Sequence, residues 1–524
     1  MTTQESSRSH SGSTFATAGV MLVVFLFAID ATIVSSAMPT VVAKLGDLDL
    51  YSWVFSIYML ASALATPIFG KLSDLFSRRR LILFAIGLFM LGSVLCGLAQ
   101  SMLQLIVFRG LQGIGGGAIY SLSFILVGVV FPPHKRAAMQ GLIASVWGVA
   151  SVLGPLAGGL ITQYWNWHWI FFINLPSGIV AAALIAVGLH EPALRQRRPE
   201  LDVRGAGTLL VGLLALLYAL LRSGKSANPL DPVTLGLFAV ALATLGLFTV
   251  LERRASEPLI PLGLFRWGLF RTGVLLAMLA AVAVFGIIGY LPLYVQGVLA
   301  GSASKAGVVL LPVSVGWTLG SLIAGRTMNR LGYRAVCLSG ATLMAGGYAF
   351  LLGSGMQSGL WAALVGTFFI GIGTGMIIVT SLVAAQSAVP FQNIGVATST
   401  LMLIRTFGGA LGISIMGSVL FSSMHRQLLQ LSAGSGVPLA PAVLEKLSNP
   451  QTLLDPASRA LLPAHFLPAL TQALSSSLWY AFTTGLVAVV IGVVLSATMS
   501  KLTPASMRRP SSPAPGRPAA RPHV

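Results

Sequence analysis

Unbroken apolar runs of bilayer length recur along this chain, and they constrain its fold more than any other feature. Read against their polar punctuation they give fourteen candidate spans, at 16–38, 52–70, 80–99, 103–126, 138–162, 168–189, 205–221, 233–251, 272–295, 306–325, 335–353, 360–386, 391–421 and 474–499. A hydrocarbon core takes roughly 20 apolar residues as a helix, whereas a membrane β-barrel is written as short alternating strands. These runs do not alternate, so the expected class is an all-α polytopic membrane protein. Composition agrees: 55% of the 524 residues are hydrophobic and only 9% charged, where a soluble domain carries about a quarter charged residues.

The net charge of +19 would suit nucleic acid, but the basic residues fall in short connections between spans. Of 32 Lys and Arg, 23 lie in the N-tail, the even-numbered connections and the C-tail; seven lie in the odd-numbered connections, and Arg109 and Arg405 lie within spans. That asymmetry sets topology: both termini are expected in the cytoplasm, and nucleic acid is not expected as a partner. Residues 1–15 are expected as a disordered tail running straight into the first span, with no cleavable leader. Residues 424–470, rich in Leu, Ser, Ala and Pro, are expected as an extracytoplasmic loop, and the Pro/Ala/Arg-rich residues 500–524 as a disordered tail. Cys96 and Cys337 both lie in spans, which supports neither a disulfide framework nor a cysteine metal site.

Of the thirteen acidic residues, Asp30 alone falls inside a span. An ionisable group at that depth costs about 2.5–3.5 kcal/mol on insertion scales and so needs a reason to be there. Asp30 either carries protons or packs a helix by hydrogen-bonding a neighbouring Ser or Thr.

Setting spans seven and eight aside exposes a tandem repeat. Pro39 matches Pro292, Gly70 matches Gly325, and Gly113–Gly117 (GIGGG) matches Gly371–Gly375 (GIGTG), at offsets of 253, 255 and 258. Two six-helix halves in the same orientation are expected, 16–189 and 272–499, with an inserted pair of helices at 205–251. The inserted pair shows no marked amphipathic pattern, is expected to carry no buried charge and is expected at the lipid-facing periphery.

Four motifs then carry a family resemblance. The loop Gly70-Lys-Leu-Ser-Asp-Leu-Phe-Ser-Arg-Arg-Arg80 is similar to G-x-L-x-D-R-x-G-R-R/K, with Leu75 and Ser77 departing from it. Ile106-Val-Phe-Arg-Gly-Leu-Gln-Gly-Ile-Gly-Gly-Gly117 is similar to R-x-x-Q-G-x-G. Gly148-Val-Ala-Ser-Val-Leu-Gly-Pro-Leu-Ala-Gly-Gly159 is similar to a GP-containing exporter signature. Its small residues Ala144, Gly148, Ser151, Pro155 and Gly158 follow helical spacing. Trp169-Ile-Phe-Phe-Ile-Asn-Leu-Pro176, Tyr290-Leu-Pro-Leu-Tyr-Val-Gln296 and Arg405-Thr-Phe-Gly-Gly-Ala-Leu-Gly412 supply the fourth. On these residues the chain resembles the fourteen-helix drug/proton antiporter branch of the major facilitator superfamily, over about residues 16–425.

The resemblance implies two rocking halves in a bacterial cytoplasmic membrane, a substrate site between them at mid-membrane, and no enzymatic step. It implies that Gly70, Asp74, Arg78 and Arg79 form a gating loop that latches the halves. It implies that Arg109 works with Asp30 in proton relay, and by rise per residue both lie about 10–13 Å below the outer surface. Gly148, Gly154, Pro155, Gly158 and Gly159 are implied as the antiporter motif. Tyr58, Gln112, Trp147, Tyr290, Tyr294, Gln296 and Arg405, with Tyr120, Trp317, Met402 and Phe407, are candidates for lining the cavity, because aromatic faces and flexible Met suit bulky amphipathic molecules. Arg405 points to an anionic substrate, to a pair with Asp30 across the halves, or to helix packing. No cofactor is expected and the proton gradient is the expected energy source, since no G-x-x-x-x-G-K-[ST] phosphate loop occurs. No H-E-x-x-H or G-x-S-x-G site occurs either. The expected function is proton-coupled efflux of small lipophilic or cationic compounds, with a dedicated exporter of one endogenous metabolite or lipid as the alternative. The oligomeric state stays open.

Overall fold

The computed structural model describes residues 3–45, 50–189, 202–223, 231–255, 258–299, 301, 303–353, 359–434, 466–500 and 502. The long elements among them are helices: α1 (Thr3–Leu45), α2 (Tyr51–Leu75), α3 (Arg78–Gly97), α4 (Met102–Val130), α5 (Pro133–Tyr164), α6 (Trp169–Phe172), α7 (Asn174–Gly188), α8 (Val203–Ser223), α9 (Pro232–Arg254), α10 (Gly268–Leu293), α11 (Ala303–Val308), α12 (Leu311–Gly353), α13 (Leu360–Ala388), α14 (Ile394–Gly434) and α15 (Phe466–Thr498). Every apolar run read from the sequence falls on a helical segment. Among the described residues eleven helices are long and apolar enough to cross a membrane, and the shorter apolar helices Ala138–Ala150 and Arg204–Leu220 coincide with two more runs. The runs 306–325 and 335–353 share α12, which is broken at Gly332 (φ 80°, ψ 169°). A backbone with that φ is open to glycine and strained for a side chain, so a single residue does the work of a loop.

Two boundaries differ from expectation. Residues 3–15 are wound onto α1 instead of forming a disordered tail, because an established helix adds turns without a new nucleation cost. Of the loop 424–470, residues 424–434 continue α14 and 466–470 open α15; residues 435–465 lie outside the described residues, as does the tail 500–524 except Ser500 and Leu502.

The repeat is visible in the packing. In the first half α4 lies on α2 at the GIGGG glycines, where a Cβ on Gly113 would meet the Tyr58 carbonyl at 2.6 Å. In the second half α13 lies on the first part of α12 at GIGTG, where a Cβ on Gly375 would meet the Ser321 amide nitrogen at 2.7 Å. The halves meet along two related seams, α2 on α14 and α5 on α12. A Cβ on Gly70 would fall on the Ser399 side chain, and one on Gly141 would come within 2.8 Å of the Ser321 carbonyl.

The inserted pair is not wholly peripheral. Leu209, Leu213 and Leu217 repeat every fourth residue on α8, and that stripe is buried against α2 and α14, with Leu64, Leu60 and Ala63 on one side and Leu403, Phe407 and Ala410 on the other. α8 therefore wedges into a seam between the halves. α9 lies outside it, exposing Val233, Leu235, Val240 and Leu242. Against the expectation of no buried charge, Glu252 at the end of α9 is buried, held there by accepting the Ile260 amide.

Candidate functional site

Asp30 is fully buried in α1 and saturated with donors. Its Oδ2 accepts from the Arg109 guanidinium at 2.8 Å; its Oδ1 accepts from Gln112 Nε2 at 2.9 Å and from Asn174 Nδ2 at 3.0 Å. Arg109 also donates to Gln112 Oε1 at 2.8 Å. Ser93 closes the network: its Oγ accepts from Gln112 and Asn174 at 3.2 and 2.9 Å and donates to the Phe171 carbonyl at 2.9 Å. Five side chains from α1, α3, α4 and α7 thus converge within one half, and helix spacing explains part of it, since Arg109 and Gln112 stand three apart on one face. The depth match of Asp30 and Arg109 becomes an ion pair at 0% and 1% side-chain exposure. A buried pair of this kind is costly to break, because removal of one partner strands the other charge at a cost of about 3–5 kcal/mol.

A chain of aromatic contacts leads from this network to the seam between the halves. The Arg109 guanidinium lies 3.9 Å from the centroid of the Tyr58 ring. Tyr58 stacks on Phe27 at 6.0 Å, Phe27 stacks on Tyr120 at 5.2 Å, and Trp147 meets both Phe27 and Tyr120 edge-on at 5.7 and 6.0 Å. Phe27 precedes Asp30 by three residues, so α1 presents both to the same side. The Tyr120 hydroxyl accepts from Arg405 of α14, in the opposite half, and the Arg405 guanidinium lies 5.7 Å from the Tyr120 ring.

The remaining cavity candidates divide. Gln112 belongs to the Asp30 network. Tyr290 gives its hydroxyl proton to the Ile413 carbonyl at 3.1 Å, Tyr294 is buried, and Gln296 sits half-buried on the π turn Tyr294–Val298 that ends α10. Trp317 meets Phe285 edge-on at 6.3 Å, Met402 is buried, and Phe407 packs against α8. Tyr294 and Met402 share one hydrophobic core with Phe27 and Tyr58, with Tyr290 and Trp317 packed against it, but among the described residues no ring contact ties them to Phe27, Tyr120 and Trp147.

The loop 70–80, expected to gate, forms a second charged contact between the halves. Asp74 Oδ1 accepts from the Gly395 amide at 3.0 Å and Oδ2 from the Val396 amide at 2.9 Å, at the N-terminus of α14. Unpaired amides and the helix dipole both favour an anion there. Arg78 reaches Asp74 at 3.5 Å and places its guanidinium 5.7 Å from the Phe391 ring. Gly70 and Gly395 permit the approach: a Cβ on Gly395 would meet the Gly70 carbonyl and Asp74 Oδ1, each at 2.5 Å. Arg79 is half-buried beside it. Ser77, which departs from the family pattern, caps α3 by accepting from the Arg80 amide at 3.4 Å.

In the antiporter motif, a Cβ on Gly148 would fall on Thr318 of α12, and one on Gly154 on Thr32 of α1. Gly158 is buried and its carbonyl accepts from Thr162 at 2.8 Å, while Gly159 is exposed with open space around it. The Pro155 side chain lies outside the described residues. Sequence reasoning missed Asn174 and Ser93; the one available signal was an amide standing alone in the apolar run WIFFINLP.

Residues 20–413 match the Major Facilitator Superfamily. The chain is 34% identical over 497 residues to the multidrug transporter protein MdtP of Bacillus subtilis (strain 168), covering 91% of each protein. It is 35% identical over 489 residues to multidrug resistance protein 3 of the same organism, covering 93% of this chain and 95% of the relative. Among solved structures it superposes on the human organic anion transporter MFSD10 (TETRAN) with a TM-score of 0.60 at 16% identity, covering 92% and 99% of the two chains. The proton:xylose symporter XylE gives 0.56 at 17% identity, covering 93% and 95%. At such identities these likenesses speak for the fold alone. With two repeated helical halves meeting along paired seams, and sequence similarity running through nearly all of both, the chain belongs to the major facilitator superfamily.

Proposed function

We propose that this protein is a proton-coupled exporter that moves small lipophilic compounds out across the cytoplasmic membrane by alternating access, with fourteen spans and both termini in the cytoplasm. The observation that carries the reading is the buried Asp30 network and its contiguity, through Arg109, Tyr58, Phe27 and Tyr120, with Arg405 in the other half. Protonation of Asp30 removes the charge that holds Arg109. A stranded guanidinium at 1% exposure must find a new arrangement, and Tyr58, on which it lies, moves with it. A group with two discrete arrangements, biased by a proton on one side and by ring contacts on the other, is what coupling requires. The relatives' names, multidrug transporter and multidrug resistance protein, support export of drug-like compounds. A dedicated exporter of one metabolite would share this machinery, and competition among chemically unrelated lipophiles separates the two readings.

The test is substrate-driven proton movement in proteoliposomes for wild type and Asp30→Asn, at equal amounts of folded protein. Loss of proton movement with substrate binding retained is the expected result. Normal proton exchange by Asp30→Asn would make Asp30 a packing residue and remove the coupling scheme.

A further inference from the structure

The two arginines inside the spans stand in opposite electrostatic conditions. Arg109 is neutralised by Asp30, so a pair between Asp30 and Arg405 across the halves does not form. Arg405 is only 8% exposed, yet its one polar partner among the described residues is the neutral Tyr120 hydroxyl. Beside it the Trp147 indole N–H, on a ring that meets Tyr120 edge-on at 6.0 Å, is buried with no acceptor. Around Arg405 the described residues therefore offer a guanidinium and an indole donor next to the stacked rings of Phe27 and Tyr120, and no carboxylate partner. A desolvated cation without a counter-charge is expensive, and guanidinium is the side chain best matched in geometry to a carboxylate or sulfonate.

We propose that Arg405, with Phe27, Tyr120 and Trp147, is the seat of a lipophilic anion: a small aromatic molecule whose acidic group pairs with Arg405 while its ring lies among the three aromatic side chains. This deepens the transport reading above and rests on it. It excludes lipophilic cations as preferred cargo. Aromatic faces alone would attract them, but a second cation about 6 Å from Arg405 is disfavoured by roughly a hundredfold at an effective dielectric constant of about 20. The location fits the task, because Arg405 belongs to α14 and the rings to α1, α4 and α5. A bound anion would bridge the halves and would be released when they part.

The experiment uses the full chain in proteoliposomes under an imposed proton gradient. Its probes share one ring system and differ in charge: naphthalene-2-carboxylate, neutral naphthalene-2-carboxamide and the cation trimethyl(naphthalen-2-ylmethyl)ammonium. Wild type should move the carboxylate at least tenfold faster than the ammonium. Arg405→Lys should keep most carboxylate flux, and Arg405→Gln should lose roughly ten- to a hundredfold of it, the worth of a charge-assisted hydrogen bond, while gaining ammonium flux. Wild-type flux of the ammonium or the amide without the carboxylate would overturn the anion site and leave the exporter reading standing. Carboxylate flux equal in wild type and Arg405→Gln would also overturn it. Failure of all three probes to move or to drive protons would sink both. The wild-type preference decides the matter even if a variant folds poorly.

Discussion

Neutralising Asp74 should part the halves at the first turn of α14, and the size of the effect follows from its contacts. The carboxylate accepts two amide bonds from the first turn of α14, at 3.0 and 2.9 Å, across the boundary between the halves. Hydrogen bonds to a charged group contribute about 1.5–3 kcal/mol each, against about 0.5–1.5 kcal/mol for a neutral one. Asp74→Asn keeps the shape, retains one neutral acceptor and turns an NH2 group toward the other amide. The net loss is about 2–4 kcal/mol, with roughly another 0.5 kcal/mol from the helix dipole. The closed state should therefore lose roughly seventy- to two-thousandfold in population relative to the open one. The ion pair with Arg78 is long, at 3.5 Å, and joins α2 to α3 within one half, so Arg78→Gln should shift the balance between the halves less than Asp74→Asn does. Spin labels on Lys135→Cys and Leu331→Cys, both exposed and in opposite halves, would read the separation by pulsed electron resonance, since the native Cys96 and Cys337 are buried. If Arg78→Gln opened the protein as much as Asp74→Asn, the ion pair and not the helix cap would be the latch. An unchanged distance distribution in Asp74→Asn would refute the reasoning altogether.

Three further outcomes are expected. Gly395→Ala should open the same label pair without any change of charge, because its Cβ would meet the Gly70 carbonyl at 2.5 Å and backbone cannot step aside; a closed distribution in this variant would mean that the seam tolerates a methyl. Asn174→Ala removes donors to Asp30 and Ser93 and should lower proton-coupled flux by roughly tenfold at unchanged expression; wild-type flux would show that the amide only fills space. Asp231, held down to about 2 chiefly by the hydrogen bond from Arg222 and also capping α9 through Thr234, has a folded-state affinity for protons below its unfolded one. Its contribution is thus fully present above about pH 4 and fades as pH falls toward about 2, so in thermal melts the advantage of wild type over Asp231→Asn should be constant from pH 8 to 5 and shrink below that.

Much of the architecture was legible because bilayer length and glycine spacing are written locally. Asp30 and Arg109 were legible for a related reason: a charge inside an apolar run has few places to go. Asn174 and Ser93 were not, because an isolated amide or hydroxyl is cheap enough in a helix to carry no signal until its neighbours from α1 and α4 are known. Gln112 shows the same limit from the other side. Its helix and depth were readable, but only the packing of α1, α3, α4 and α7 decides that it faces Asp30. α8 was misjudged because absence of charge was taken for lipid exposure, whereas the Leu209, Leu213, Leu217 stripe is the mark of a buried face. His168 is tied down by packing that the sequence did not show, with a ring nitrogen 2.6 Å from the Gly97 carbonyl and its ring stacked on Trp167 at 3.9 Å.

The distribution of buried charge separates two tasks that an exporter must keep apart. A carboxylate that both bound protons and faced the cargo would let every cationic molecule compete for the proton site. Here Asp30 is enclosed by four side chains of its own half, and Arg405, the proposed anion partner, lies across the seam, joined to it among the described residues through rings. Rings transmit position and not charge. In the proposed scheme a proton on Asp30 acts on the seam by letting Arg109 and Tyr58 shift, which moves Phe27 and Tyr120 relative to Arg405, and the Asp74 contact sets how far the ends of the halves beside it yield to that shift.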